Sequence, residues 1–168
     1  MSTETISVPT RTPPRWLNAA MEAMLRTTGI ERLLGRTLAL ITVTGKKSGR
    51  AYTTPVTYYR DGDTVIVLTR KNRTWWRNVA NGANGADVEL RLAGQTFRGR
   101  ARASVGDEGE LPELVAFLEH RRADARAYGL TLSPDGRVDR DQARALLPQI
   151  VVIRIALSTV TSVPRPLP

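Results

Sequence analysis

The chain has 168 residues, no cysteine, a single histidine and a formal net charge of +9 at pH 7. That length suits one domain with a real core, while the missing cysteines exclude disulfides, iron–sulfur clusters and zinc–thiolate sites, and one histidine cannot complete the usual nitrogen shells. No apolar run reaches membrane-spanning length and the N-terminus lacks a secretory pattern, so the expected location is the cytoplasm and no metal is expected.

In chain order, residues 1–12 are polar and rich in proline and threonine, without apolar periodicity, and read as a tail. A single domain is expected over 13–160, with a second tail at 161–168. Pro13-Pro14 introduces a helix in which Trp16, Leu17, Ala20, Met21, Met24 and Leu25 recur at helical spacing. Such a helix either packs on a sheet or lies against a membrane surface. Gly29 ends it, and Ile30, Leu33 and Leu34 form a short turn before Gly35. Residues 37–44 are aliphatic and β-branched, as in a buried strand.

The connection that follows, Gly45-Lys46-Lys47-Ser48-Gly49-Arg50, carries three cations between two glycines. Glycines let a backbone approach a ligand closely, and free amides, Ser48 and the cations can all meet oxyanions. From Arg36 to Arg77 there are nine cations against only Asp61 and Asp63, a field that favours a phosphorylated cofactor, nucleic acid or anionic lipid. Residues 51–60 form a second strand with Tyr52, Val56 and Tyr58 on one face. Pro55 cannot donate to a ladder, so this strand is expected at an edge or locally irregular near Thr54-Pro55, with backbone groups free for a ligand. Asp61-Gly62 marks a hairpin, and 64–69 a third strand.

Residues 69–78 hold four cations and two of the three tryptophans, Trp75 and Trp76. Arginine interleaved with aromatics can stack a flat ring or a base; equally, one tryptophan can plug the core while the arginines are solvated. Residues 81–85 are turn-forming, and 87–93 with 96–104 make a second hairpin around Gly94-Gln95. From Glu108 the pattern is helical, with Pro112, Leu114, Val115 and Leu118 before the basic pair Arg121-Arg122. Residues 133–136 form a loop, Asp139 caps a short helix running to Leu147, and 150–157 is a final strand, apolar almost throughout. Six strands, with helices before them and before the last, predict an α+β protein built on a small, mostly antiparallel barrel.

Catalytic side chains are scarce. His120 has no nucleophile beside it and reads as a surface or packing residue. The glycine spacing around Lys46 fails the P-loop pattern and no dinucleotide fingerprint follows a strand. The chain is equipped to hold an anionic cofactor and leaves no catalytic residue identifiable.

Three features together resemble a known family: residues 44–49 with Thr53-Thr54-Pro55, the Tyr58-to-Gly62 hairpin, and Trp75-Trp76-Arg77-Asn78-Val79 followed by a glycine/asparagine turn. From about Leu33 to Ser104 the chain is similar to the deazaflavin-dependent nitroreductases and quinone reductases of actinobacteria, within the flavin-binding split β-barrel superfamily. The resemblance implies a split barrel with flanking helices that binds the anionic coenzyme F420, with FMN as the alternative. By position it assigns the phosphate and glutamate tail to Lys46, Lys47, Ser48, Gly49 and Arg50. Thr53, Thr54 and Pro55 would line the ring, Thr69, Arg70 and Lys71 form another cofactor-contacting turn, and Trp75 and Asn78 lie near the same pocket. The implied activity is hydride transfer to a quinone, nitro compound or activated alkene, in a protein expected to dimerise. The chain differs from the family pattern in a shorter 68–75 loop, in Trp76 where tyrosine is usual, and in having Tyr128 as the one tyrosine of its C-terminal third. Two alternatives remain: a basic nucleic-acid-binding module, and a non-catalytic cofactor- or lipid-binding barrel that meets the membrane through its N-terminal helix.

Overall fold

The computed structural model describes residues 37–80 and 84–158. The expected tails, the helix around Trp16 to Leu25 and its continuation to Gly35 lie outside the described residues, as do Asn81, Gly82 and Ala83 of the expected turn. Six strands are found among the described residues: β1 (Leu38–Thr44), β2 (Ala51–Asp61), β3 (Thr64–Arg70), β4 (Ala86–Leu92), β5 (Gln95–Val105) and β6 (Ile150–Ser158). They close into a barrel in the order β1-β2-β3-β6-β5-β4, every neighbouring pair antiparallel. The predicted α+β barrel is therefore present, with strand ends shifted by a residue or two.

Alternation decides what fills it. Ile41 and Val43 of β1, Val65 and Val67 of β3, Leu90 of β4 and Ile153 of β6 are buried in a single interior cluster. Each such side chain taken out of water contributes about 1.5–3 kcal/mol before chain entropy is charged against it. β3 and β6 are apolar on their outer faces as well, because Ile66, Leu68, Ile150 and Val152 meet a helical layer. This is why 150–157 shows so little alternation: two cores claim its two faces. Outward-facing polarity begins at Arg154, which reaches back to Glu110 and Glu113.

The helical layer comprises α1 (Leu111–His120), α2 (Arg122–Ala127) and α3 (Arg140–Leu146). Pro112 sits in the first turn of α1, and Leu111, Leu114, Val115 and Leu118 give it one apolar face. Asp139 caps α3 as expected, its Oδ1 accepting from the amides of Asp141 at 2.8 Å and Gln142 at 3.2 Å. The sequence reading carries no helix at 122–127. Its reason is physical: α2 buries only Ala125, so six residues leave no periodic signal. His120 is exposed, with its ring 4.7 Å from that of Tyr59, a packing contact.

Pro55 corrects an expectation and sharpens it. β2 lies inside a closed barrel, and its register with β1 runs unbroken from Leu38↔Thr57 to Thr44↔Ala51, through Leu40↔Pro55. On its other flank, however, β2 pairs with β3 only from Tyr58↔Val67 to Asp61↔Thr64. Among the described residues no strand pairs that flank from Ala51 to Thr57. A missing donor is tolerated at such a half-edge. The barrel is thus split between the start of β2 and the end of β3, next to the basic turn.

Candidate functional site

The β1–β2 connection is a built turn. The Gly45 amide donates to the Arg50 carbonyl and the Gly49 amide to the Gly45 carbonyl, each at 2.8 Å. Gly49 has φ +66°, the left-handed region that glycine enters without cost. Gly45 is required for a different reason: a Cβ there would come within 2.5 Å of the Tyr52 ring and 2.7 Å of Ser48 Oγ. Tyr52 lies over the glycine, with its hydroxyl 2.9 Å from Ser48 Oγ, and Ser48 Oγ also accepts from the Arg50 amide at 3.3 Å.

The second basic segment docks on this turn. Trp75–Asn78 forms a 3-10 turn that packs Trp75 and Trp76 against the barrel core and leads into the fully buried Val79. From there Asn78 Oδ1 accepts from the Lys46 amide at 3.2 Å, and the Ala80 carbonyl accepts from Lys46 Nζ at 2.5 Å. Both tryptophans therefore serve packing, and Arg77 lies 5.7 Å over the Trp76 ring. Two segments far apart in sequence meet at one end of the barrel.

Beside that junction is a cleft of about 480 Å³ lined by Lys46, Gly49, Asn78, Gly85, Asp87 and Arg100, among others. Lys47 and Arg50 are exposed at its turn, and among the described residues neither side chain has a hydrogen-bond or ion-pair partner. Thr53, Thr54 and Pro55 follow on the unpaired flank of β2, half-buried; Thr53 Oγ1 lies 2.9 Å from Thr42 Oγ1. These donors fit an anionic, planar cofactor: uncommitted cations, a backbone turn that a side chain would fill, and a strand edge with unpaired peptide groups. Among the described residues, no group of acidic, histidine or cysteine side chains could hold a metal.

A second cavity, of about 380 Å³, opens where the barrel meets the helices, lined by Arg70, Lys71, Asn72, Tyr128, Leu146 and Gln149, with Ile150 beneath. The two cavities share no lining residue. Arg70 lies 5.5 Å over the Tyr128 ring. Burial pushes the Tyr128 phenol up to about 12 against the opposing pull of Arg70, with Asp124 adding to the rise and Arg73 opposing it. Lys71 anchors the segment through its amide to the Gln149 carbonyl at 2.9 Å, and its carbonyl accepts from Trp76 Nε1 at 3.3 Å.

The structure brings Lys46, Gly49 and Asn78 to one cleft, with Lys47, Ser48 and Arg50 on its turn. It places Arg70 and Lys71 on the other cavity and buries Thr69 at the end of β3. Sequence reasoning missed Arg100, whose guanidinium pairs with Asp87 at 2.9 Å and donates to the Asn84 carbonyl at 3.0 Å. The alternation Arg98, Arg100, Arg102 on a barrel strand was the available signal, but it does not say which arginine meets the turn.

Residues 16–131 match the family described as F420H(2)-dependent quinone reductase. No curated protein matches the chain. Among solved structures, a protein of unknown function from Agrobacterium tumefaciens aligns with a TM-score of 0.52 and 18% identity, over 92% of this chain and 59% of its own. An FAD- and haem-binding protein from Mycobacterium smegmatis gives 0.48 and 17%, over 77% and 65%. An F420-H2-dependent reductase, FDR-A, gives 0.44 and 18%, over 71% and 94%. At 18% identity the first of these likenesses concerns the fold alone.

Proposed function

The chain belongs to the F420H(2)-dependent quinone reductase family, and from that premise we propose that the 45–50 turn, the flank of β2 and the 75–78 turn form the cradle of its deazaflavin cofactor. In this reading Lys47 and Arg50, with Lys46, Ser48 and Gly49, take the anionic tail. Thr53, Thr54 and Pro55 offer backbone to the ring, and Trp75 and Asn78 form the neighbouring wall. When bound, the reduced deazaflavin supplies a hydride, which with one proton makes the two-electron reduction of a quinone, nitro group or activated alkene. The chain's own part is to bind, orient and exclude water.

The observation that carries the reading is the clamp of Lys46 on Asn78 and Ala80. It commits the ammonium of Lys46 to a carbonyl and holds the turn so that Lys47 and Arg50 remain uncommitted beside an unpaired strand flank. Titrating the protein with the deazaflavin and with FMN, followed by fluorescence and thermal shift, tests it. Stabilisation by the deazaflavin that is lost on replacing Lys47 and Arg50 together is the expected result. Binding of neither cofactor, or binding untouched by the double replacement, would remove the proposal.

A further inference from the structure

Among the described residues that line the cleft beside the basic turn, Asp87 is the one acid, and Lys46 and Arg100 are the cations. Asp87 and Arg100 face each other in register across β4 and β5, with Arg100 Nη2 2.9 Å from Asp87 Oδ1. Nη1 of the same guanidinium donates to the Asn84 carbonyl at 3.0 Å. Register alone does not close such a pair. Arg98 faces Glu89 in the same way, two residues along β5, yet among the described residues neither forms an ion pair, and both open on the neighbouring hollow that Ser158 also lines.

The two cations of the cleft are held differently. Lys46 Nζ is bound to the Ala80 carbonyl, a backbone group that cannot leave without moving the chain. Arg100 is bound to a carboxylate whose side chain is 84% exposed, and is itself 52% exposed. An ion pair so exposed contributes little to stability, and Asp87 released from it is at once hydrated. Arg100 can therefore exchange Asp87 for an anion that enters the cleft, with N–H donors to spare. Its position decides which anion does so. Val43 of β1 faces Val88 of β4, so the start of the turn and Arg100 on β5 stand two strand spacings apart, roughly 10 Å. A single phosphate held at the turn does not reach that far, whereas a chain of linked carboxylates does.

We infer that Arg100 and Asp87 select for the length of the cofactor's tail: Arg100 exchanges Asp87 for a carboxylate that lies beyond the phosphate, so the cleft favours an oligocarboxylate tail over a monophosphate. This rests on the reading of the 45–50 turn as the holder of the cofactor's anionic end. A short anion at the turn meets Arg100 already neutralised by Asp87 and gains nothing from it. A longer tail replaces the exposed pair with a charge-assisted bond of its own. Asp87 thus acts against the shorter ligand, and specificity arises from what it withholds.

Calorimetric titration of the full chain tests this with three forms of one ring: the deazaflavin with a tail of several linked glutamates, its ribityl monophosphate, and the ribityl alcohol, which carries no tail. The parent is expected to bind the long-tailed form at least about tenfold more tightly than the monophosphate. R100Q should weaken the long-tailed form several-fold and leave the other two at parental affinity, without a change in melting temperature. D87N releases the guanidinium and should tighten the long-tailed form several-fold, a gain that disappears in the D87N/R100Q double variant. R98Q removes the same charge outside the cleft and separates contact from net charge. Parental long-tail affinity in R100Q, equal weakening of all three forms, an R98Q loss that matches R100Q, or a D87N gain that persists without Arg100 would each overturn the proposal. Long-tail binding that is lost on replacing Lys47 and Arg50 together but not in R100Q removes the length selection and leaves the cradle. Absence of deazaflavin binding by the parent removes both.

Discussion

The backbone amide of Lys46 donates to Oδ1 of Asn78 at 3.2 Å across thirty-two positions of chain. This bond joins the basic turn to the tryptophan segment, and it makes Asn78 a positioning residue whichever ligand the turn holds. N78A removes the acceptor and should loosen the turn, lowering stability by about 0.5–1.5 kcal/mol and weakening deazaflavin binding. N78D keeps an oxygen acceptor for the Lys46 amide but adds a negative charge at the cleft. Melting temperature near the parent with weaker cofactor binding is expected for N78D, whereas N78A should lose both. Parental cofactor affinity in N78D would place the anion elsewhere.

Gly45 and Gly49 bound the same turn and differ in what they forbid. At Gly45 a Cβ meets the Tyr52 ring at 2.5 Å, so G45A must push Tyr52 off the turn and break its contact with Ser48. At Gly49 nothing lies within 4 Å of the added carbon, and the cost is the positive φ alone, about 1–2 kcal/mol. Chemical denaturation should show G49A losing roughly that much. G45A should lose about 1–3 kcal/mol and change the fluorescence of Tyr52 as well. If G45A left the tyrosine signal and the stability unchanged, the packing of Tyr52 over the glycine would be refuted.

Lys47 and Arg50 are exposed and uncommitted, so their removal should not touch the fold. K47A and R50A are each expected to leave stability within about 0.5 kcal/mol and to lower deazaflavin affinity by a factor that shrinks as salt rises, since exposed charges are screened over about 10 Å at 0.1 M. Affinity losses independent of salt would mean that these side chains act through shape.

How much of this was legible beforehand follows from what each feature leaves in sequence. Alternation made β4 and β5 readable from Leu90 and Phe97 and their neighbours, whereas β1 and β3 were readable as aliphatic, β-branched runs around Ile41 and Val65. β6 hid its alternation because helices cover its second face at Ile150 and Val152. Pro55 pointed to an edge, and the edge exists, but only along half of β2, because pairing with β3 stops at Tyr58. A single residue cannot report how far a ladder runs. The turn cations were visible as a cluster, yet the different duty of Lys46, clamped to the Ala80 carbonyl, depends on a contact no local pattern encodes. Likewise, Arg70 and Lys71 are neighbours of Trp75 in sequence but open on a different cavity, since β3 turns its end toward the helices. The seam that joins them to Tyr128 is purely tertiary.

Tyr128 links that seam to alkaline stability. Burial, opposed by Arg70, raises its phenol from the ordinary 10.0 to about 12 in the folded chain. A group whose folded value lies above its unfolded one is held protonated by folding. Its contribution is therefore intact below pH 10 and is lost as pH rises toward 12, where the unfolded chain has already released the proton. Two units correspond to roughly 2–3 kcal/mol. Burial also raises Tyr58, against Arg60 and Arg121, so the parent should lose stability over this range through more than one phenol, and the informative quantity is the difference made by Y128F. Denaturant unfolding at pH 9 and pH 11.5 should show the parent falling by more than Y128F, and absorbance titration near 295 nm should lose its late component in the variant. Equal losses in both proteins would mean that Tyr128 is solvated, and that the seam beneath Arg70 is open to water.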